Sequence, residues 1–127
     1  MNKEVINTKY APESIGTYSQ GMRLGNLIYT SGQIPIDPQT GNLKTDDIKE
    51  EIRQVLSNLD AVLKGGGSCL EYAVKLTVFV TNLSYFSEVN EVFKEYFTEK
   101  PPARSVVQVS ALPMGARIEI EAVGTIL

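Results

Sequence analysis

Four residues of this chain have a type and setting that invite chemistry: Arg104, Glu119, Asn90 and Cys69. Arg104 opens the apolar run "RSVVQVSAL", just after Pro101 and Pro102. It either marks a strand end and points into water, or holds a carboxylate. A guanidinium suits the second task, because it offers a planar fork of donors and stays charged at any working pH. Glu119 and Glu121 alternate with Ile118, Ile120 and Ala122. That alternation needs no more than a sheet with one wet face, and solvent is the plain reading for both glutamates. Asn90 falls, by spacing, among the apolar residues of a helical pattern. An amide near a buried seam must find partners or cost roughly 1–3 kcal/mol, so it caps nearby backbone or reaches a site. Cys69, in "GGGSCLEYA", reads as structural or incidental. A reactive thiolate needs an activating cation or base beside it.

The composition narrows the chemistry further. With 127 residues the chain suits one domain, residues 1–127, and can bury a core without covalent staples. There is no histidine and one cysteine. Ser-His-Asp and Cys-His catalysis are therefore excluded, along with the commonest zinc ligand and any intramolecular disulfide. The net charge is −3, and no run of like charge exceeds two residues. A nucleic-acid surface needs clustered Lys and Arg, so none is expected. No apolar stretch approaches a membrane span and no signal-peptide core is present, so a cytoplasmic location is expected.

The elements that must position these residues follow from periodicity. "KEVINTKYAP" opens with a short strand that Pro12 stops. "SQGMRLGNLIYTSGQIP" reads as a hairpin turning at Gly25-Asn26, and "IDPQTGN" as a long loop. "TDDIKEEIRQVLSNLDAVLKGGG" is an amphipathic helix with Ile52, Val55, Leu56, Leu59, Val62 and Leu63 on one face. Thr45, Asp46 and Asp47 are its cap candidates, and Lys64 and Gly65 close it. "LEYAVKLTVFVTNL" predicts a central strand with Val74, Leu76, Val78 and Val80 facing one way. "SYFSEVNEVFKEYF" predicts a second helix capped by Ser84, with Phe86, Val89, Phe93, Tyr96 and Phe97 on its buried face. Two further strands, "RSVVQVSAL" and "ARIEIEAVGTIL", are joined by "PMG". In the last, Arg117, Glu119, Glu121 and Val123 share the face opposite Ile118, Ile120 and Ala122. The order β-β-β-α-β-α-β-β predicts an α+β sandwich, a mixed sheet with two helices on one face. The other face carries Thr77, Phe79, Val106 and Val123, too apolar for full exposure, and predicts a homo-oligomer that covers it.

"LGNLIYTSGQIPIDPQTG", "VKLTVFVTNLSYFSEVNEVFKEYF" and "PPARSVVQVSALPMGARIEIEAV" resemble the RidA/YjgF family of reactive-intermediate imine deaminases, in order and over nearly the whole chain. The resemblance implies a chorismate-mutase-like fold, assembled as a homotrimer with inward-facing sheets and a cleft at each subunit interface. It implies hydrolysis of 2-imino acids and their enamine tautomers, such as 2-iminobutanoate and 2-iminopropanoate, to 2-oxo acids and ammonia, without metal or organic cofactor. These reactive compounds arise from pyridoxal-phosphate enzymes, which the activity protects. By resemblance, Arg104 grips the substrate carboxylate and Glu119 positions the attacking water. Tyr18 lines the cleft, Ser31 and Gly32 form its backbone-rich floor, and Asn90 joins from the second helix. Val106 stands where the family often has cysteine, which removes any thiol chemistry there but not hydrolysis by a bound water.

Three other readings compete with the deaminase. A non-catalytic module could bind a small carboxylate in the same cleft, since fold does not fix function. An RNA-cleaving or translation-inhibiting protein fits poorly with the acidic charge and the lack of histidine. A purely structural homotrimer leaves Arg104, Glu119 and Asn90 unexplained.

Overall fold

The computed structural model describes residues 2–127. Its strands are β1 (Lys3–Ile6), β2 (Gly21–Leu24), β3 (Leu27–Thr30), β4 (Ala73–Val80), β5 (Ala103–Gln108) and β6 (Ile118–Thr125). Its helices are α1 (Ile48–Gly65) and α2 (Phe86–Tyr96). The six strands form one sheet in the order β1-β2-β3-β6-β4-β5. β4 and β5 run parallel, and every other neighbouring pair is antiparallel. This is the expected α+β arrangement with a mixed sheet. Gly25 takes a φ of 61° in the two-residue turn between β2 and β3, a conformation that favours glycine there.

Both helices lie on one face. Ile52, Val55, Leu56, Leu59, Val62 and Leu63 of α1 are fully buried, and so are Val89 and Val92 of α2. They pack on Leu76, Val78 and Val80 of β4 and on Ile118, Ile120 and Ala122 of β6. Asp47 is the cap of α1, accepting from the Lys49 amide at 3.1 Å.

Four sequence expectations are corrected by packing. Val74 is exposed, because a β-bulge between Ala73 and Lys75 gives β4 an extra residue there and puts Ala73 in the core instead. The buried face of α2 is Val89, Val92 and Phe93, while Phe86 and Tyr96 are exposed. Ser84 does not cap α2. A short 3₁₀ turn, Leu83–Tyr85, precedes the helix, and the Asn82 side chain caps that turn through the Ser84 amide at 2.9 Å. Arg117 does not face the open side with Glu119. It lies before the start of β6 and pairs with Glu51 of α1, a carboxylate 2% exposed, while its guanidinium covers the Tyr85 ring. A charge so deeply buried needs that partner, and the pair ties α1 to the entrance of β6.

Gln20 is a second buried polar group, 2% exposed. Its amide oxygen accepts from the Thr8 N–H at 2.7 Å. Its amide nitrogen donates to the carbonyls of Thr8, Ala11 and Pro12 at 3.0, 3.4 and 2.8 Å. One side chain thus satisfies a stretch of backbone that has no strand partner. Gln20→Ala is expected to cost about 2–4 kcal/mol, because several polar groups lose their partner together. A urea midpoint that falls with unchanged slope checks this, and an unshifted midpoint contradicts it.

Among the described residues nothing covers the second sheet face. Thr77, Phe79 and Val123 lie on it as expected, with Tyr29 46% and Val107 42% exposed beside them. Val106 does not. It is paired in register with buried Val78 and packs against the core on the helix side.

Candidate functional site

The register of the sheet separates the residues singled out above. Arg104 pairs with Leu76, whose side chain is buried under the helices. Glu119 pairs with Phe79 on the open face. Arg104 and Glu119 therefore lie on opposite faces. They are also not on neighbouring strands, since β4 separates β5 from β6. Within one chain the two therefore do not meet.

Glu119 belongs to a groove of about 620 Å³ bordered by Tyr18, Gly32, Ile34, Ile36, Pro113 and Met114. Its carboxylate lies against the bare backbone of Gly32. A Cβ built on Gly32 would stand 2.8 Å from the Glu119 Cδ and 3.0 Å from its Cγ. Gly32 is there because only a bare backbone leaves room for that carboxylate; its φ lies outside the left-handed region. Burial, and then the Glu121 charge, push the Glu119 carboxyl above the usual carboxylate range. Gly32→Ala is expected to displace the carboxylate tip, not the backbone, because the colliding atoms end a flexible side chain. If Glu119 acts as a base, kcat falls by up to about 10²-fold while thermal melting stays close to wild type. An unchanged kcat refutes the placement.

The groove's other members are set by local geometry. Tyr18 is half-exposed, and its hydroxyl accepts from the Ile15 amide at 3.2 Å. Ser31 supports the floor without facing the groove. Its hydroxyl donates to the Ser19 carbonyl at 2.6 Å and its amide to the Gln20 carbonyl at 2.8 Å. Gln33 exchanges two backbone hydrogen bonds with Ile120, at 2.9 and 3.1 Å, which fixes Gly32 beside the Glu119 strand. In the rim turn, Met114 takes a φ of 59°.

Arg104 and Asn90 share a separate hollow of about 430 Å³ with Phe93, Lys94, Phe97, Pro101 and Pro102. The guanidinium carbon lies 5.4 Å from the ring centroids of both Phe86 and Phe93. These rings hold the cation by its faces. Arg104 makes no ion pair among the described residues. A half-buried arginine with its hydrogen-bonding edge unused is a ready anchor for an external carboxylate. Phe86 was missed as a member of this cluster, because its helical spacing assigned it to the core. Val106 lies two residues along the same face as Arg104 but packs against the core and does not border this hollow. Among the described residues no group of three or more Cys, Asp or Glu side chains could hold a metal ion.

Residues 8–126 match the family described as Endoribonuclease L-PSP. The chain belongs to the RidA/YjgF family. A RutC family protein of Pyrococcus abyssi is 49% identical over 97% of this chain and 97% of its own length. The human 2-iminobutanoate/2-iminopropanoate deaminase is 46% identical over 95% of this chain and 88% of its own length. Escherichia coli TdcF, solved with bound serine, superposes with a TM-score of 0.90 at 42% identity, covering 96% of this chain and 98% of that one. The RidA/YjgF assignment confirms the likeness read in the sequence motifs. The family carries two functional labels, a nuclease in its description and a deaminase in the human relative.

Proposed function

We propose that this chain hydrolyses small 2-imino acids and their enamine tautomers to 2-oxo acids and ammonia, in clefts completed between copies of a homotrimer. One observation carries the reading. An arginine with no ion pair among the described residues, held by aromatic rings, and a partly desolvated glutamate lie on opposite faces of the sheet, and the glutamate's face exposes Tyr29 and Val107 with no cover among the described residues. A second copy packed on that face buries it and brings its own Arg104 and Asn90 to the Glu119 groove. The human relative's activity and the serine bound to TdcF agree with a small amino-acid-like ligand.

The chemistry follows from those groups. Arg104 binds the substrate carboxylate bidentately and fixes C2 of the protonated imine. Glu119 accepts a proton from a water whose oxygen attacks C2, giving a carbinolamine. Glu119 passes that proton to nitrogen, the carbinolamine hydroxyl gives its own proton back to the Glu119 carboxylate as its oxygen electron pair forms C=O and the C–N bond breaks, and ammonia and the 2-oxo acid leave. General-base help of this kind gives roughly 10²–10⁴-fold, enough for an electrophile that hydrolyses unaided. No cofactor takes part in these steps. The cytoplasmic location expected from the sequence belongs to the same proposal.

A second reading is favoured by the serine in TdcF: a binding protein that holds small carboxylates without turning them over. Following imine absorbance as a dehydratase generates 2-iminobutanoate separates the two. Faster decay with wild type, absent with Arg104→Ala, supports the deaminase. Saturable binding without accelerated decay supports the binding protein.

A further inference from the structure

Asn58 lies in the middle of α1, between Val55, Leu56 and Leu59 on the face that packs on the sheet, and is 0% exposed. An apolar residue would fit the helical pattern, and an amide is tolerated there only if its polar atoms are used. All are used on one task. The amide nitrogen donates to the carbonyls of Ile34 and Ile36 at 3.2 and 2.9 Å, and the amide oxygen accepts from Gln54 at 2.9 Å. Ile34 and Ile36 line the groove that holds Glu119, and the next residue back, Gln33, is bonded to Ile120.

We infer that Asn58, oriented by Gln54, is a positioning residue that fixes the Ile34–Ile36 wall of the Glu119 groove and so limits the length of substrate side chain the site accepts. The inference rests on the deaminase reading of that groove. With the substrate carboxylate on Arg104 and C2 beside the water of Glu119, the remaining substituent on C2 must lie against apolar surface. Ile34 and Ile36 offer it. Each is presented by a segment outside the named strands; the Asn58 amide is the bonded partner of the Ile36 carbonyl and shares the Ile34 carbonyl with the Ile36 N–H at 2.7 Å. Removing those donors lets the wall retreat without touching Arg104 or Glu119.

The test uses Asn58→Leu, which keeps side-chain volume near native in the α1 core. It also uses Gln54→Leu, which removes the bond orienting the amide and leaves its donors in place. The readout is kcat/KM for a bulky branched 2-imino acid, generated by an amino-acid oxidase, relative to that for 2-iminobutanoate. Asn58→Leu is expected to raise this ratio roughly tenfold, the scale set by pocket fit for one or two methylenes. The pH dependence belonging to Glu119 should be retained. Gln54→Leu shifts the ratio the same way by less, and decides the matter if Asn58→Leu does not fold. An active wild type with the ratio unchanged in the folded variant overturns the inference alone. A wild type that accelerates no imine overturns the deaminase reading, and this inference with it.

Discussion

A one-to-one mixture of Arg104→Ala and Glu119→Gln subunits is expected to turn over imine far faster than either variant alone. Within one chain Arg104 lies on the helix-covered face and Glu119 on the open face. If one substrate needs both, they come from different copies. A cleft is then intact when its Glu119 comes from the Arg104→Ala subunit and its Arg104 from the Glu119→Gln subunit. Random assembly around a closed ring gives about a quarter of the clefts that pairing, so about a quarter of wild-type activity returns. Subunits must be mixed unfolded and refolded together, with separately refolded variants as controls. A mixture as inactive as its components places both groups in one chain's site, against the register seen here.

Glu119→Gln alone is expected to lower kcat by roughly 10²–10⁴-fold with a much smaller change in KM. A loss confined to KM would make Glu119 a binding residue. The pH profile sharpens this prediction. Burial and Glu121 hold the Glu119 carboxyl above the usual value of 4.5. The base must be ionised, so activity rises with pH along an acid limb that belongs to Glu119. The limb disappears in Glu119→Gln. Stability moves the opposite way. A carboxyl with a raised pKa keeps its proton longer folded than unfolded, so stability falls as pH rises from 4.5 through the raised value. Glu119→Gln therefore melts no lower than wild type above that window, while its chemistry is lost. An acid limb that persists in Glu119→Gln contradicts the assignment of the base.

Much of the fold was legible because it is periodic. The buried face of α1 and the Gly25-Asn26 turn follow from spacing and turn chemistry alone. What failed was parity and everything non-local. In "RSVVQVSAL" both Val106 and Val107 are apolar, so alternation cannot tell which face Arg104 shares, and the parallel register with β4 decides it. The bulge at Val74 shifts one end of β4 without a glycine or proline to announce it. Phe86 and Tyr96 are large and apolar, yet Val92 takes the core position, because Phe86 stands instead against Arg104. Gln20 and Asn58 were invisible as supports. Their partners are backbone carbonyls that no residue type encodes, 8–12 residues away for Gln20 and 22–24 for Asn58.

Tyr18, Gly32 and Glu119 do gather in one groove, and Arg104 and Asn90 in another hollow. That the list divides in two is the informative result. The family likeness implies a cleft between subunits, and a register that parts Arg104 from Glu119 within one chain agrees with that reading. The exposed Tyr29 and Val107 of the open face fit the same geometry, since apolar surface of that kind favours cover.

The most direct measurement is a crystal structure of the protein with 2-oxobutanoate, the stable product of 2-iminobutanoate hydrolysis. The account predicts the carboxylate bidentate on Arg104 of one copy, with C2 facing Glu119 of a neighbouring copy across the open sheet face. A product carboxylate held without Arg104, or an Arg104 remote from every neighbouring Glu119, would contradict it.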